Sequence, residues 1–204
     1  MKAVVLFVLS FCAFSASAQT DSLKALKEID EFQKKLNTEY KNKEESPLEP
    51  KDLKKFKGHD FFPVNLNYRV NAKLTVTDGT PFLQMKTTTT RLTTDRVYGY
   101  VEFAIAEKQF RLPVYQSQDL MKDPEYVDYL FFPFTDLTNG AQSYIGGRYI
   151  DLRIPKSETN IIIDFNQAYN PYCAYNHKYS CPLVPADNQM DMEVPVGVRY
   201  VGNK

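Results

Sequence analysis

The sequence predicts a mainly β protein, an antiparallel β-barrel or sandwich preceded by two N-terminal helices. From residue 68 onward, apolar and polar side chains alternate in about eight short stretches that turn residues separate. No helical pattern lies between these stretches, so sequential strands are expected to pair antiparallel. The 14 tyrosines and 14 phenylalanines fit this class, because aromatic side chains favour strands and wide β cores.

The first 18 residues have the pattern of a secretory signal peptide. A single cation, Lys2, precedes an apolar run over residues 3–14, and small residues at Ala-x-Ala spacing follow it. The pattern predicts cleavage after Ala18, so that the mature chain begins at Gln19. A membrane-anchoring helix is the alternative, but the run is shorter than the roughly 20 apolar residues that cross a bilayer.

Cleavage would leave residues 19–204, one domain of 204 less 18, or 186 residues, in the periplasm or secreted. Loss of Lys2 leaves 24 basic residues against 25 acidic ones, a formal net charge of −1. This near-neutral balance argues against a nucleic-acid partner, because nucleic acids normally require a strong basic excess. No later apolar run approaches membrane-spanning length, so we expect no membrane span after cleavage.

Residues 19–58 form a predicted helical segment that packs on the main domain. A polar residue at position 21 or 22 caps the first helix, and apolar residues then recur every three or four positions up to Tyr40. Pro50 begins a second, short helix, and Gly58 ends it. The segment is too small to form a domain of its own.

Residues 59–204 form the predicted antiparallel β domain. Turns at Asp78-Gly79 and Glu107-Lys108 each join two strands into a hairpin. A long loop over residues 166–190 follows the strands, and loops of this length in compact domains are often binding or lid elements. The predicted strands cover residues 68–76, 82–88, 97–105, 110–115, 129–134, 148–154 and 161–165, with a last short pair near 192–201.

Two cysteines remain in the mature chain, Cys173 and Cys181, within one loop-like segment. In an exported protein an even pair predicts a disulfide, which would stabilise the fold by roughly 2.5 kcal/mol. A bridge requires the segment to turn back on itself, because residues eight apart on a helix lie about 12 Å apart. His177 between them makes zinc an alternative, although zinc would need a fourth ligand. The sequence leaves open whether the pair is bridged or free.

No motif with a specific chemistry occurs in the chain. The serine-hydrolase elbow, the phosphate-binding loop, the dinucleotide fingerprint and the zinc-protease helix are all absent from the sequence. The chain has two histidines, His59 and His177, which excludes histidine-rich metal sites. We therefore predict no metal and no cofactor.

Two polar and aromatic stretches carry a resemblance to a known family. The first contains Gly147-Arg148-Tyr149, and the second runs from Asp164-Phe165-Asn166 through residues 170–175 to Cys181-Pro182. Together with residues 56–64, they resemble the uncharacterised domain-of-unknown-function family 1684 over most of the mature chain. Where the family usually has Pro-Leu-Pro-Pro, this chain has Pro-Leu-Val-Pro at residues 182–185. The resemblance implies no known reaction, substrate or cofactor.

The same stretches supply the candidate ligand-binding residues. Arg148 follows two glycines, and its guanidinium can donate two parallel hydrogen bonds to a carboxylate or phosphate. Its neighbours would surround it in a pocket at the open end of a barrel. The candidates are Tyr144, Arg148, Asp164, Asn166, Tyr169, Asn170 and Tyr175. The alternative is structural, with Arg148 paired to Asp151 or Asp164 in a buried network.

Three functions stay open on the sequence. The first is an exported, non-catalytic protein that binds a small polar or anionic ligand near Arg148. The second is a hydrolase-type enzyme in which buried Asp164 or Asp151 acts as the general base. The third is a structural or adaptor protein of the cell envelope with an aromatic contact surface. Nothing in the sequence predicts the oligomeric state.

Overall fold

A computed structural model describes residues 2–156 and 159–200, with the backbone alone for residues 2–18. It confirms a mainly β protein, in which a mostly antiparallel sheet curls into a nearly closed barrel. Helix α1 spans Lys2–Lys41, and the short helix α2 spans Pro50–Leu53. The side chains of the predicted signal peptide, and residue 1, lie outside the described part of the chain.

All seven strands predicted before residue 166 form, and they join one sheet. The neighbours in the sheet are β6, β5, β4, β3, β1 and β7 in that order, while β2 pairs with β3 alone. Every pair among these strands is antiparallel, including β1 with β3 and β1 with β7, which are not consecutive in the chain. The strands are β1 Arg69–Val76, β2 Leu83–Lys86, β3 Leu92–Ile105, β4 Lys108–Ser117, β5 Tyr129–Phe134, β6 Arg148–Arg153 and β7 Asn160–Asp164.

The segment that follows β7 helps to close the barrel. It returns to β6, where the Tyr149 N–H donates to the Tyr169 carbonyl at 2.9 Å and the Tyr169 N–H donates back at 3.0 Å. This pairing brings the start of the long loop against the outer side of the barrel wall. The loop therefore contributes side chains to the same surface as β5 and β6.

Three sequence expectations about secondary structure are wrong. The hairpin expected across Asp78-Gly79 does not form, because β1 pairs with β3 and β7 while β2 pairs with β3. The second helix ends at Leu53 and does not reach Gly58. No strand pair forms within residues 192–200, where the backbone makes one isolated bridge, between Phe61 and Val198. Proline at position 195 has no N–H for a ladder, so the apolar side chains of this segment enter the core from an irregular chain.

Helix α1 lies along the barrel wall and is held there by both apolar and charged contacts. Ile29 and Tyr40 are each 1% exposed, because the apolar stripe of the helix faces the barrel. The Arg69 guanidinium joins Glu28 of the helix, at 2.6 Å, to Asp164 at the end of β7, at 2.7 Å. Within residues 19–156 and 159–200, no helix is both long enough and apolar enough to cross a membrane.

Candidate functional site

Strand β6 presents charged side chains to both sides of the barrel wall. Arg148 is buried on the interior side, where Ile150 and Leu152 join the main core. Asp151 and Arg153 lie on the opposite, exposed face. Since successive side chains of a strand alternate between faces, two residues three apart cannot share one. Arg148 and Asp151 are therefore on different sides of the wall.

Arg148 is wholly enclosed at one end of the barrel. Its Nη2 donates to Asp136 Oδ2 at 2.7 Å and to the Val194 carbonyl at 2.8 Å, while its Nη1 donates to the Val196 carbonyl. The side chains of Arg148 and Asp136 are both 0% exposed. Burial lowers the pKa of Arg148, and the neighbouring Asp136 carboxylate opposes that shift. This geometry ties the segment 194–196 to the barrel end.

Asp136 is the partner that sequence reasoning missed. The network was expected to use Asp151 or Asp164, but the structure pairs Arg148 with Asp136 in the connection after β5. Residues Phe134 and Arg148 face each other in the β5–β6 register, which places Asp136 just beyond the strand end. A hairpin register drawn between the two strands would have brought these two charges together.

Glycine is required at position 147, where the backbone that leads into Arg148 passes close to Phe134 and Val184. Its φ is +91°, and a Cβ there would lie 2.7 Å from the Phe134 carbonyl oxygen and 2.5 Å from Val184 Cγ2. Both the backbone conformation and the close contact exclude a side chain. The glycine expected to let the backbone bend before Arg148 therefore serves the buried network.

Asp164 and Asn166 hold the end of β7 in place. Asp164 is 5% exposed, pairs with Arg69, and accepts the Asn166 backbone N–H at 3.0 Å. The Asn166 amide accepts from the Asn65 N–H at 2.9 Å and donates to the Asn65 carbonyl at 3.1 Å. These polar groups are satisfied by the chain itself.

Asn170 and Tyr175 belong to a second buried cluster, around His59. Asn170 Nδ2 donates to the Tyr175 hydroxyl at 2.9 Å, and that hydroxyl lies 3.3 Å from His59 Nδ1. The His59 ring packs against Tyr40 with the ring centroids 4.3 Å apart. Burial lowers the pKa of His59 to about 4, so the ring is neutral at neutral pH.

Cys173 and Cys181 lie side by side as buried free thiols. The Cys173 N–H donates to Cys181 Sγ at 3.3 Å, so the segment turns back on itself as a bridge would require. The Cys181 thiol, and the hydroxyls of Thr88 and Tyr144, lower the pKa of Cys173 to about 6, although burial opposes them. The disulfide itself stays a prediction.

An open cleft lies on the outer face of β5 and β6, beneath α1. It has a volume of about 750 Å³ and contains Asp151 and Tyr169. Within the described residues, no group of three or more histidine, cysteine and acidic side chains is arranged to hold a metal ion. Aromatic rings form much of the lining: Phe32, Tyr126, Tyr129, Tyr149, Tyr169 and Tyr172.

Two tyrosine hydroxyls converge on the Asp151 carboxylate in this cleft. Tyr129 from β5 and Tyr169 from the long loop each donate to Asp151 Oδ1 at 2.7 Å. Burial, and then the Asp151 charge, raise the pKa of both tyrosines well above the ordinary value. Both phenols therefore keep their protons and point them at one oxygen. Among the side chains that the structure describes, none donates to Asp151 Oδ2.

Of the seven predicted ligand-binding residues, the structure places Tyr169 in this Asp151 cleft. Arg148, Asp164 and Asn166 are hydrogen-bonded inside the fold, Asn170 and Tyr175 lie around His59, and Tyr144 lies against Cys173. Sequence reasoning missed Tyr129, which a β5–β6 hairpin register would have placed diagonally from Asp151.

Comparison with known proteins gives a family and a fold but no activity. Residues 54–199 match the family described as "Protein of unknown function (DUF1684)". The solution NMR structure of an uncharacterised protein from gene locus rrnAC0354 of Haloarcula marismortui is similar, with a TM-score of 0.70 and 29% identity. That likeness covers 89% of this chain and 97% of the other. No curated protein matches the chain.

Proposed function

The chain belongs to the DUF1684 family of proteins of unknown function, and for this member we propose an exported, non-catalytic protein that binds a small polar ligand in the Asp151 cleft. The cleft carries the proposal, since it combines about 750 Å³ of open space with aromatic walls and a carboxylate, Asp151, that no described cation pairs with. Pockets of several hundred cubic ångströms, mainly apolar with a few convergent polar groups, are the usual form of small-molecule sites.

Asp151 replaces Arg148 as the anchor in this proposal. The Nη1 and Nη2 groups of Arg148 donate to Asp136 and to two carbonyls, and its side chain is 0% exposed. A ligand could reach it only if segment 194–196 were displaced from the core. Asp151 is exposed in an open cleft, and none of the side chains that the structure describes donates a hydrogen bond to its Oδ2.

Binding is favoured over the hydrolase alternative by the surroundings of the two candidate bases. Asp164 is paired with Arg69 and is 5% exposed, so it has no access to a substrate. Asp151 is exposed and its Oδ1 accepts two tyrosine hydrogen bonds, so it is not the buried carboxylate that the hydrolase alternative requires.

Export and the disulfide are further parts of the proposal. The signal-peptide pattern over residues 1–18 supports delivery to the periplasm or outside the cell, an oxidising compartment. The side-chain contact between the Cys173 and Cys181 thiols, and the turn of the chain that brings the Cys173 N–H to Cys181 Sγ, support a bridge there. The intact mass of natively purified protein tests both, since Gln19–Lys204 less two hydrogens is expected. A full-length mass would contradict export.

Ligand screening by NMR tests the binding function. Small polar metabolites are added to ¹⁵N-labelled protein, and we expect at least one to shift the amide resonances of Asp151, Tyr169 and Gln167 saturably. Asp151→Asn should weaken this binding, while Asp78→Asn, at the exposed turn after β1, should leave it unchanged. A set of binders that all shift residues outside the cleft would refute the assignment.

A further inference from the structure

The two tyrosine hydroxyls beside the Asp151 carboxylate are left as hydrogen-bond acceptors. The hydroxyl protons of Tyr129 and Tyr169 both point at Asp151 Oδ1. A phenol has one proton to donate, so each of these hydroxyl oxygens has only lone pairs left for a ligand. Together with Asp151 Oδ2, they form a cluster that accepts hydrogen bonds and donates none.

The cations that line the cleft already have acidic partners. Arg153 Nη1 donates to Asp128 at 2.7 Å and to the Glu125 carbonyl at 2.5 Å. On α1, Lys35 Nζ lies 3.8 Å from Glu39. Asp151, by contrast, has no ion-pair partner among the residues whose side chains the structure describes. The four charged lining residues, two basic and two acidic, sum to zero, but inclusion of Asp128, the partner of Arg153, leaves one excess negative charge. Asp151 is the carboxylate of this group without an ion pair.

Aromatic rings surround this uncompensated charge. Tyr149 packs edge-on against Phe131, with the ring centroids 4.7 Å apart, and against Tyr169 at 5.9 Å. The faces of aromatic rings carry negative charge density and attract ammonium groups within about 6 Å. The aromatic walls of the cleft therefore attract a cation, as the Asp151 carboxylate does.

We propose that the ligand of the Asp151 cleft carries a protonated amine, whose ammonium group donates to Asp151 Oδ2 between the Tyr129 and Tyr169 hydroxyls. This inference rests on the proposed ligand-binding function and names the chemical class of the ligand. A protonated primary amine supplies three donors and a positive charge to a site that has acceptors and a negative charge. The apolar part of the ligand would lie along the aromatic wall.

Three probes with one skeleton test the charge preference. The protein is titrated at neutral pH with 2-phenylethylamine, 2-phenylethanol and phenylacetate, which differ in having an ammonium, a hydroxyl or a carboxylate group. We expect the amine to bind at least about tenfold more tightly than the alcohol, with no saturable binding of the acid. Chemical shifts of the cleft amides give both the affinity and the location.

Variants separate the charge from the shape of the cleft. Asp151→Asn keeps the size and an acceptor oxygen but removes the charge, so it should abolish the preference for the amine over the alcohol. Tyr169→Phe should weaken amine binding to a smaller extent, because Asp151 keeps its charge. Asp78→Asn is the matched control, and it should bind all three probes as the unmodified protein does.

The outcomes distinguish this inference from the function on which it rests. If the amine binds no more tightly than the alcohol, or shifts amides outside the cleft, the inference is overturned. Binding of neutral or acidic molecules in the cleft would then leave the ligand-binding function standing. Failure of the three probes and of the whole polar library to shift the cleft amides would overturn both.

Discussion

Strand β6 carries two charged residues, three positions apart, of which one is enclosed in the barrel and the other is exposed. Arg148 faces inward, where Asp136 and two backbone carbonyls surround it and no surface remains exposed. Asp151 faces outward into an open cleft, where two tyrosine hydroxyls hold one of its oxygens. The comparison teaches that a charged residue in a conspicuous motif can be part of the framework, while a less conspicuous neighbour has the access that a ligand needs.

The largest expected effect is the loss of the buried ion pair. Arg148→Met or Asp136→Asn should each lower the free energy of unfolding by about 3–5 kcal/mol, because the remaining partner is left charged and buried. Urea unfolding measures this. On the outer face of the same strand, Arg153→Met breaks a half-exposed pair with Asp128 and should cost about 1 kcal/mol or less. If Arg148→Met and Arg153→Met lowered the free energy of unfolding equally, the buried and exposed faces of β6 would not differ in the way proposed.

The second effect depends on pH and concerns His59, which is partly buried and, unlike Arg148, neutral. Burial lowers its pKa to about 4 in the folded state, against about 6.5 in the unfolded chain. Between these values the unfolded chain binds more protons, so stability falls as pH falls from about 6.5 to about 4, by up to roughly 3 kcal/mol. His59→Phe should flatten this part of the stability curve. The exposed His177→Gln should not, and equal slopes in all three proteins would show that His59 is not the cause.

A third effect follows from the proposed disulfide near the floor of the cleft. Reduction of natively purified protein should lower the free energy of unfolding by roughly 2.5 kcal/mol, since the bridge restricts the unfolded chain. Unfolding with and without reductant measures the difference. The double variant Cys173→Ser with Cys181→Ser should not respond to reductant. If reductant did not change the stability of the unmodified protein either, the thiols would be shown to be free.

The smallest effect on stability is expected at Asp151. Asp151→Asn should change the free energy of unfolding by less than about 1 kcal/mol, because the residue is exposed and the amide oxygen can still accept from both tyrosines. Asp136→Asn, measured in the same urea series, is the matched comparison. If Asp151→Asn lowered the free energy of unfolding as much as Asp136→Asn does, the cleft carboxylate would have a structural role as well.

Much of the fold could be predicted because the local pattern and the tertiary structure agree. The alternation in β1 depends on near neighbours, and this strand forms where it was expected. The chain also turns at Asp78-Gly79, but β1 pairs with β3 and β7 and not with β2, because strand pairing depends on the whole sheet. The segment after residue 192 was predicted wrongly because its apolar residues are buried without strand pairing. Burial makes apolar and polar residues alternate both in a strand and in this irregular segment, so the sequence pattern by itself does not distinguish the two.

By itself, the sequence determined the mainly β class, the seven strands and the family, because strand alternation, turn residues and family motifs are local features of the chain. Only the tertiary structure decided that Arg148 is enclosed and that Asp151 is open. That choice depends on which face of β6 the core covers and on how the loop at Tyr169 returns to the wall. Such contacts join residues far apart in the chain, and no local spacing encodes them.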